Sequence, residues 1–381
     1  MLTVLQGRSL GYARDDDGAK RYQNSAALHY FLRRTTISHF SFLISHSSEA
    51  FIHNQGAARS KGLTLNLAPY TPSPTLRACP RILKGEKIVF LQQLVNGLTL
   101  GSAYAVIAIG YTLVFGVLNI VNMAHGGIFM VGAYIGLLLV TEAGFGIFPA
   151  LIGAMVGGAV LGYALEIFAL RPLRRRKVTH LAPLISTIGV STFLESVALM
   201  VWGPQTRSFP TSFGNELMDF GAFKISGIQI ISLGTAVVLM VLLTILLNKT
   251  KIGKAVRATS ESAETASLLG INTGRIITFT VMMASALGAA AGVLIGLSFN
   301  AIEPTMGTAM GLKGLAVLIM GGLGNVEGAM AGGFILGIAE VFSVAYGSSS
   351  YRDAVAFGII ILILFIRPEG LFSKAGKGGR P

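Results

Sequence analysis

Charge is scarce in this sequence. Asp, Glu, Lys and Arg make up 12% of its 381 residues, against about 25% in ordinary soluble domains. With 52% apolar residues and a mean hydropathy of +0.67, the chain has too little polar surface to cover a water-soluble particle of this size. A single cysteine, Cys79, rules out an internal disulfide framework. No GxxxxGK[ST] run occurs, so the chain has no phosphate-cradling loop with which to hydrolyse a nucleotide itself. The 48 glycines follow no period of three, which excludes collagen. His125 and His180 have no Cys or His neighbour at ligand spacing, so no metal site is expected. What remains is an integral membrane protein.

The first 87 residues differ from the rest. They hold four of the six histidines and carry a net charge of +7, with no apolar run long enough to cross a bilayer. They also lack the basic start and apolar core of a signal peptide. Residues 1–87 are therefore expected to be a disordered or non-native N-terminal extension, and 88–381 the membrane domain. No methionine falls between Met1 and Met123, so a later start would need a non-standard codon, for example at Leu83 or Val89. A genuine floppy extension and a stretch ahead of the true start both stand at this point. The remaining charge of +6 lies mostly in short connections between apolar runs, where membrane topology explains it better than nucleic-acid binding.

About 20 apolar residues span a hydrocarbon core as a helix. Candidate spans are Val89 to Val117, Ile128 to Thr141, Phe145 to Leu170, Leu181 to Val201, Ile228 to Leu247, Ile276 to Leu297, Met310 to Met320, Ala329 to Val344 and Ala354 to Ile366. Several are short, and NIVNMAHGG after the first and MGGLGNVEG at Met320 to Gly328 break the pattern with glycine and polar residues. Broken helices in lipid must satisfy their freed backbone groups within protein or against water. The expected fold is an all-α polytopic bundle of about eight spans with broken or re-entrant helices.

Basic residues set the topology. Arg171, Arg174 to Arg176 and Lys177 mark one cytoplasmic loop; Lys249, Lys251, Lys254, Arg257 and Arg275 mark another. Arg367, Lys374, Lys377 and Arg380 place the C-terminus inside, and the mixed-charge loop from Trp202 to Gly227 outside. Arg81, Lys84 and Lys87 argue for an inside start, which nine full crossings would contradict. Small-xxx-small spacings at Gly153 and Gly157, Gly158 and Gly162, and Gly288, Gly292 and Gly296 predict close packing, within the bundle rather than between copies.

Within the runs, Glu195 and Glu340 stand as the ionisable groups, and a charge there has to be paired, hydrated or protonated. Asn96, Asn119, Asn122 and His125 gather around the first span and the break after it. Together with Glu195 these four are candidates to line a path for a polar solute; interhelical hydrogen bonding is the plainer alternative. So few buried ionisable groups, and no convincing half-to-half repeat, count against an ion-coupled carrier. The segment Lys251 to Asn272 offers another route. Ser260 is the expected N-cap of a short cytoplasmic helix, with Glu261 and Glu264 in its first turn. Ala263, Ala266 and Leu269 fall on one face at spacing three, and Gly270 can take the left-handed conformation that ends a helix. Such a helix between two spans suits docking into a partner's groove.

The runs FLQQLVNGLTLGSAYAVIAIGYTLVFGVLNIVNMAHG from Phe90, RPLRR from Arg171, LISTIGVS from Leu184, ASLLGIN from Ala266, VLIMGGLGNVEGAMAGG from Val317 and RPEGLF from Arg367 occur in one order. In them the chain resembles the membrane permease of branched-chain amino acid ABC transporters, the hydrophobic amino acid uptake class. The resemblance implies a multi-pass protein of a bacterial-type cytoplasmic membrane that is not itself an enzyme. It further implies two cytoplasmic ATP-binding subunits that carry ATP and Mg, a second and related permease, and an extracytoplasmic solute-binding protein. Arg257, Ala258, Thr259, Ser260, Glu261, Ala263, Glu264, Ala266, Leu268, Leu269, Gly270, Ile271 and Asn272 would form the coupling helix, the counterpart of the EAA loop of other importers. Related permeases carry urea or short amides as well as leucine, isoleucine and valine, so either solute class stands. Residues 1–87 have no counterpart in the resemblance.

Overall fold

The computed structural model describes residues 80–176, 181–210, 217–219, 224–347, 349, 352–368 and 370–372, with backbone alone for 80–88, 217–219 and 224. The extension therefore lies, up to residue 79, outside the described residues, as do Lys177, His180, Glu216, Lys374, Lys377 and Arg380. Eleven helices are described: α1 (Pro80–Leu118), α2 (Ala124–Thr141), α3 (Ile147–Arg175), α4 (Leu181–Trp202), α5 (Gly227–Lys249), α6 (Lys251–Glu261), α7 (Ala263–Leu268), α8 (Thr273–Phe299), α9 (Met306–Gly321), α10 (Val326–Tyr346) and α11 (Arg352–Ile366). Seven of them are long and apolar enough to cross a membrane and α9 is a shorter apolar helix, as an all-α polytopic bundle requires. A two-stranded antiparallel hairpin, β1 (Leu217–Asp219) and β2 (Lys224–Ser226), interrupts the connection from α4 to α5.

Helix ends follow from local chemistry. Asn119 (φ 55°) and Asn300 (φ 48°) stop α1 and α8 in the left-handed region, which asparagine tolerates better than most residues. Asn272 and Asn325 accept the N–H groups of Arg275 and Gly328 and so cap α8 and α10. Hydroxyls inside the helices bond back one turn, as Thr112 does to the Ala108 carbonyl at 2.7 Å and Thr280 to that of Ile276 at 2.8 Å. These groups therefore need no partner from lipid. A π turn at Glu166–Leu170 carries α3 into its basic end.

α1 and α8 form the centre and are the most covered helices. Lipid gives no hydrophobic drive for helices to pack on each other, so close contact has to come from small residues that let backbones meet. α1 lies on α10 through Gly97, Gly101, Gly333 and Gly337; a Cβ on Gly101 would stand 2.8 Å from the Phe334 Cα. α3 lies on α8 through Gly158 and Gly162, which face Ala289 and Ser285. Gly292 meets α2 at Phe129. The predicted glycine ridges thus pack within the bundle.

The connections fall on two faces. On one, Gln229 at the start of α5 donates to Asn96 at 2.9 Å, and Arg207 pairs with Ile302 to tie the α4–α5 and α8–α9 connections. On the other, Gly116 meets Gly324 in the α9–α10 turn, Leu371 N–H donates to the Met320 carbonyl, and Arg171 reaches Thr278. Arg174 to Arg176, α6, α7 and Arg367 share this second face, which the excess of Lys and Arg marks as cytoplasmic. α1 therefore begins on the outer face, opposite to the side its Arg81, Lys84 and Lys87 suggest. Its packing on α5 and α10 sets the direction. Gly337→Val would press a branched side chain into the α1 backbone at Gly101, and overpacking of this kind costs about 1–3 kcal/mol. The variant should melt several degrees lower in detergent or fail to accumulate; an unchanged melting temperature contradicts the close crossing.

Candidate functional site

A cavity of about 250 Å³ lies between α4 and α9, with α1 behind it and the start of α2 below. Ile188, Ser191, Thr192 and Glu195 of α4 form one wall; Gly307, Thr308, Gly311 and Leu312 of α9 form the other. Ser191 and Thr192 precede Glu195 by four and three residues, so all three share a helix face. Gly126 and Gly127 make the arrangement possible. A Cβ on the first would crowd the Gly311 Cα at 3.1 Å, and one on the second would stand 3.3 Å from the Ser191 Cα. Met123 closes the floor, its N–H donating to Thr187 Oγ1 at 3.1 Å. Thr308 Oγ1 donates to Glu195 Oε2 at 3.2 Å across the walls. Tyr111 stands at the back, with its ring edge-on to His125 at 4.5 Å and its buried hydroxyl oxygen facing the Gly126 backbone N–H.

Of the five residues expected along a solute path, Glu195 alone lines this cavity. Asn96 lies 23 residues before Asn119, about 35 Å along the same helix. It bonds Gln92, Gln93 and Gln229 near the outer face. The grouping of Asn96 with the break is therefore corrected: adjacency in sequence to one helix put residues at its two ends. Asn119 is exposed beyond the end of α1, and Asn122 is buried with Oδ1 accepting the Ala124 N–H at 3.1 Å. His125 is fully buried where α1, α2 and α8 cross, filling the space left by Gly110 and Gly288. No group of three His, Cys, Asp or Glu able to hold a metal occurs among the described residues.

Among the described residues three carboxylates lie in membrane-spanning segments beyond the first turn, and they differ in what balances them. Glu166 pairs with Arg174 at 2.9 Å. Glu340, with no exposed side-chain surface, accepts from Tyr104 at 2.8 Å, Lys313 at 2.9 Å and Arg352. Lys313 also pairs with Asp353 at 2.8 Å, so two cations and two anions join α9, α10 and α11 in a neutral cluster. Lys313 corrects the reading that Glu195 and Glu340 were the ionisable groups of the apolar runs: it stands inside Met310 to Met320 and was legible there as a lone charge. Ser191, Thr192, Thr308 and Tyr111 were also missed, since hydroxyls in apolar runs usually bond their own helix. Glu195 has no cation partner among the described residues.

The cytoplasmic segment is two helices where one was expected. Ser260 lies inside α6, donating to the Arg257 carbonyl, and is not the cap. Ser262 leaves the helical region (φ −157°, ψ 108°) and its Oγ accepts the Thr265 N–H at 3.2 Å, which makes it the N-cap of α7. Thr259 is buried and Ala266 is 2% exposed, so Ala266 faces inward instead of sharing an outer face with Ala263 and Leu269. Gly270 has φ 83° and donates to the Ser267 carbonyl, while Ile271 donates to that of Ala266; this is the left-handed helix end the sequence predicts. Leu268 and Leu269 are left 85% and 76% exposed beside Glu261 and Glu264.

A family profile described as branched-chain amino acid transport system / permease component matches residues 93–364. The chain belongs to this family. It is similar to the high-affinity branched-chain amino acid transport system permease proteins LivH of Escherichia coli (38% identity over 300 residues) and BraD of Pseudomonas aeruginosa (37% over 298); 75% of this chain and 96% of each relative are covered. A probable branched-chain amino acid transport permease of Methanocaldococcus jannaschii is 29% identical over 302 residues, covering 75% of this chain and 92% of that one. The permease is a multi-pass protein of the bacterial-type inner membrane. Its ionic cluster makes a stability test. Lys313→Met leaves two carboxylates against Arg352, and breaking a buried pair costs about 3–5 kcal/mol. Lys313→Met/Glu340→Gln leaves Arg352 against Asp353 and should melt higher than Lys313→Met alone. A double variant no more stable than the single one contradicts charge balance as the cluster's role.

Proposed function

We propose that this permease is the membrane-spanning subunit of an ATP-driven importer of branched-chain amino acids. It works with two cytoplasmic ATP-binding subunits carrying ATP and Mg, a second, related permease and an extracytoplasmic solute-binding protein. The solute class rests on relatives whose names specify branched-chain amino acid transport and on the family match.

The observation that carries the ATP-driven part is the exposed Leu268–Leu269 pair on the cytoplasmic face. Ser262 at one end and Gly270 at the other hold α7 in a fixed pose, and the inward Ala266 anchors it. Two large apolar side chains presented by a short, doubly capped helix suit insertion into a groove on a partner. α6 packs on α1, and Asn272 starts α8, so a push on α7 reaches both central helices. ATP then needs only to favour one of two helix packings over the other, acting at a distance through this lever. Arg257 and Ala258 lie in α6, which Ser262 joins to α7.

Purified chain together with its ATP-binding subunits, second permease and binding protein should take up L-leucine into proteoliposomes when ATP is supplied. Uptake by this chain alone, driven by a salt or pH difference, contradicts the importer reading. Gly270→Arg gives a sharper test. A Cβ at Gly270 meets no neighbour within 4 Å, so the variant should remain in the membrane despite its positive φ. Its charged side chain should spoil docking and lower ATP-dependent uptake at least about tenfold, equivalent to some 1.4 kcal/mol of coupling. Unchanged uptake by this variant removes the Leu268–Gly270 turn from the coupling path.

A further inference from the structure

We propose that Glu195 is the point at which the α-ammonium group of the amino acid solute binds inside the membrane, an inference that rests on the importer function above. Each of the other two carboxylates described beyond the first turn of a membrane-spanning segment has a cation supplied by this chain: Arg174 for Glu166, Lys313 and Arg352 for Glu340. Among the described residues Glu195 has a single hydrogen bond, from the neutral hydroxyl of Thr308, and it lines an open cavity. A carboxylate left without a counter-charge at this depth calls for one from elsewhere, and a zwitterionic solute carries it.

The rest of the cavity fits the rest of such a solute. Its volume of about 250 Å³ is enough for one amino acid. The Tyr111 hydroxyl is buried on the cavity's back wall; its oxygen faces the Gly126 N–H, which leaves its O–H to donate to the solute's carboxylate. Ile188 and Leu312 give the walls an apolar surface for a branched aliphatic side chain. An ammonium acceptor, a carboxylate donor and an apolar wall around one space are the three features a branched-chain amino acid requires. α4 and α9 are spaced by the glycines of the α2 start and joined by the Thr308–Glu195 bond, so a shift of either helix changes the cavity. Binding there is accordingly transient, a station between the binding protein and the cytoplasm.

The test uses the complete transporter in proteoliposomes with L-leucine as probe. Glu195→Gln keeps the shape and removes the charge; it should lower the maximal rate of leucine uptake at least about tenfold, while ATP hydrolysis still responds to leucine-loaded binding protein. Glu195→Asp should retain more uptake than Glu195→Gln. A Glu195→Gln complex that transports at the wild-type rate overturns the proposal and leaves the importer function intact, whereas a wild-type complex without ATP-dependent uptake overturns both. A second measurement covers a Glu195→Gln protein that fails to accumulate. Thr192→Cys, in a Cys79→Ser background with Glu195 present, should react faster with a cationic thiol reagent than with an anionic one of the same size, and L-leucine should slow both. Equal rates for the two reagents, or no effect of leucine, contradict the proposal.

Discussion

A carboxylate held among helices in a membrane must find a counter-charge, either within the protein or in what the protein carries. That demand organises the interior of this permease. Glu340 meets it by drawing Lys313 and Arg352 from neighbouring helices and a hydroxyl from Tyr104, and Asp353 completes the balance. Three helices are pinned together by charges that lipid would otherwise reject, and α1 joins them through the Tyr104 hydroxyl. Glu166 meets the same demand locally, through Arg174 across the π turn of α3. Glu195 stands apart, and the solute proposed to bind there brings its own positive charge.

Close packing makes these contacts possible. Gly97, Gly101, Gly333 and Gly337 bring α1 and α10 near enough for Tyr104 to reach Glu340, and Gly126 and Gly127 set α4 and α9 at the width of the Glu195 cavity. Where helices meet through glycine there is no side chain to cushion a movement, so the bundle has a few defined packings and little between them. α6 and α7 sit at the base of the two central helices, a place from which a partner's motion can select among those packings.

Much of this was legible in the chain itself. Long apolar runs, lone charges within them and glycine spacings are direct consequences of lipid as solvent, and they gave the spans, Glu195, Glu340 and the internal glycine ridges. Capping chemistry at Gly270 was equally local, because glycine takes the left-handed helix end with no Cβ in the way. Ser260 and Ser262 were harder: both suit an N-cap, and only the path of the preceding helix decides between them. The separation of Asn96 from Asn119 was lost because a 39-residue helix carries neighbours in sequence to opposite faces. The cluster around Glu340 was hidden for another reason. Lys313, Glu340, Arg352 and Asp353 come from three helices, and their pairing is a tertiary fact. The cavity hydroxyls gave no signal at all, since a threonine that bonds its own helix and one that lines a space look alike in sequence.

The most direct measurement is a cryo-electron microscopy structure of the complete transporter trapped with L-leucine in the membrane domain. The account predicts the solute between α4 and α9, its ammonium nitrogen about 3 Å from the Glu195 carboxylate and its side chain toward Ile188 and Leu312. Leucine held elsewhere, with Glu195 paired to a cation from the second permease, would contradict it.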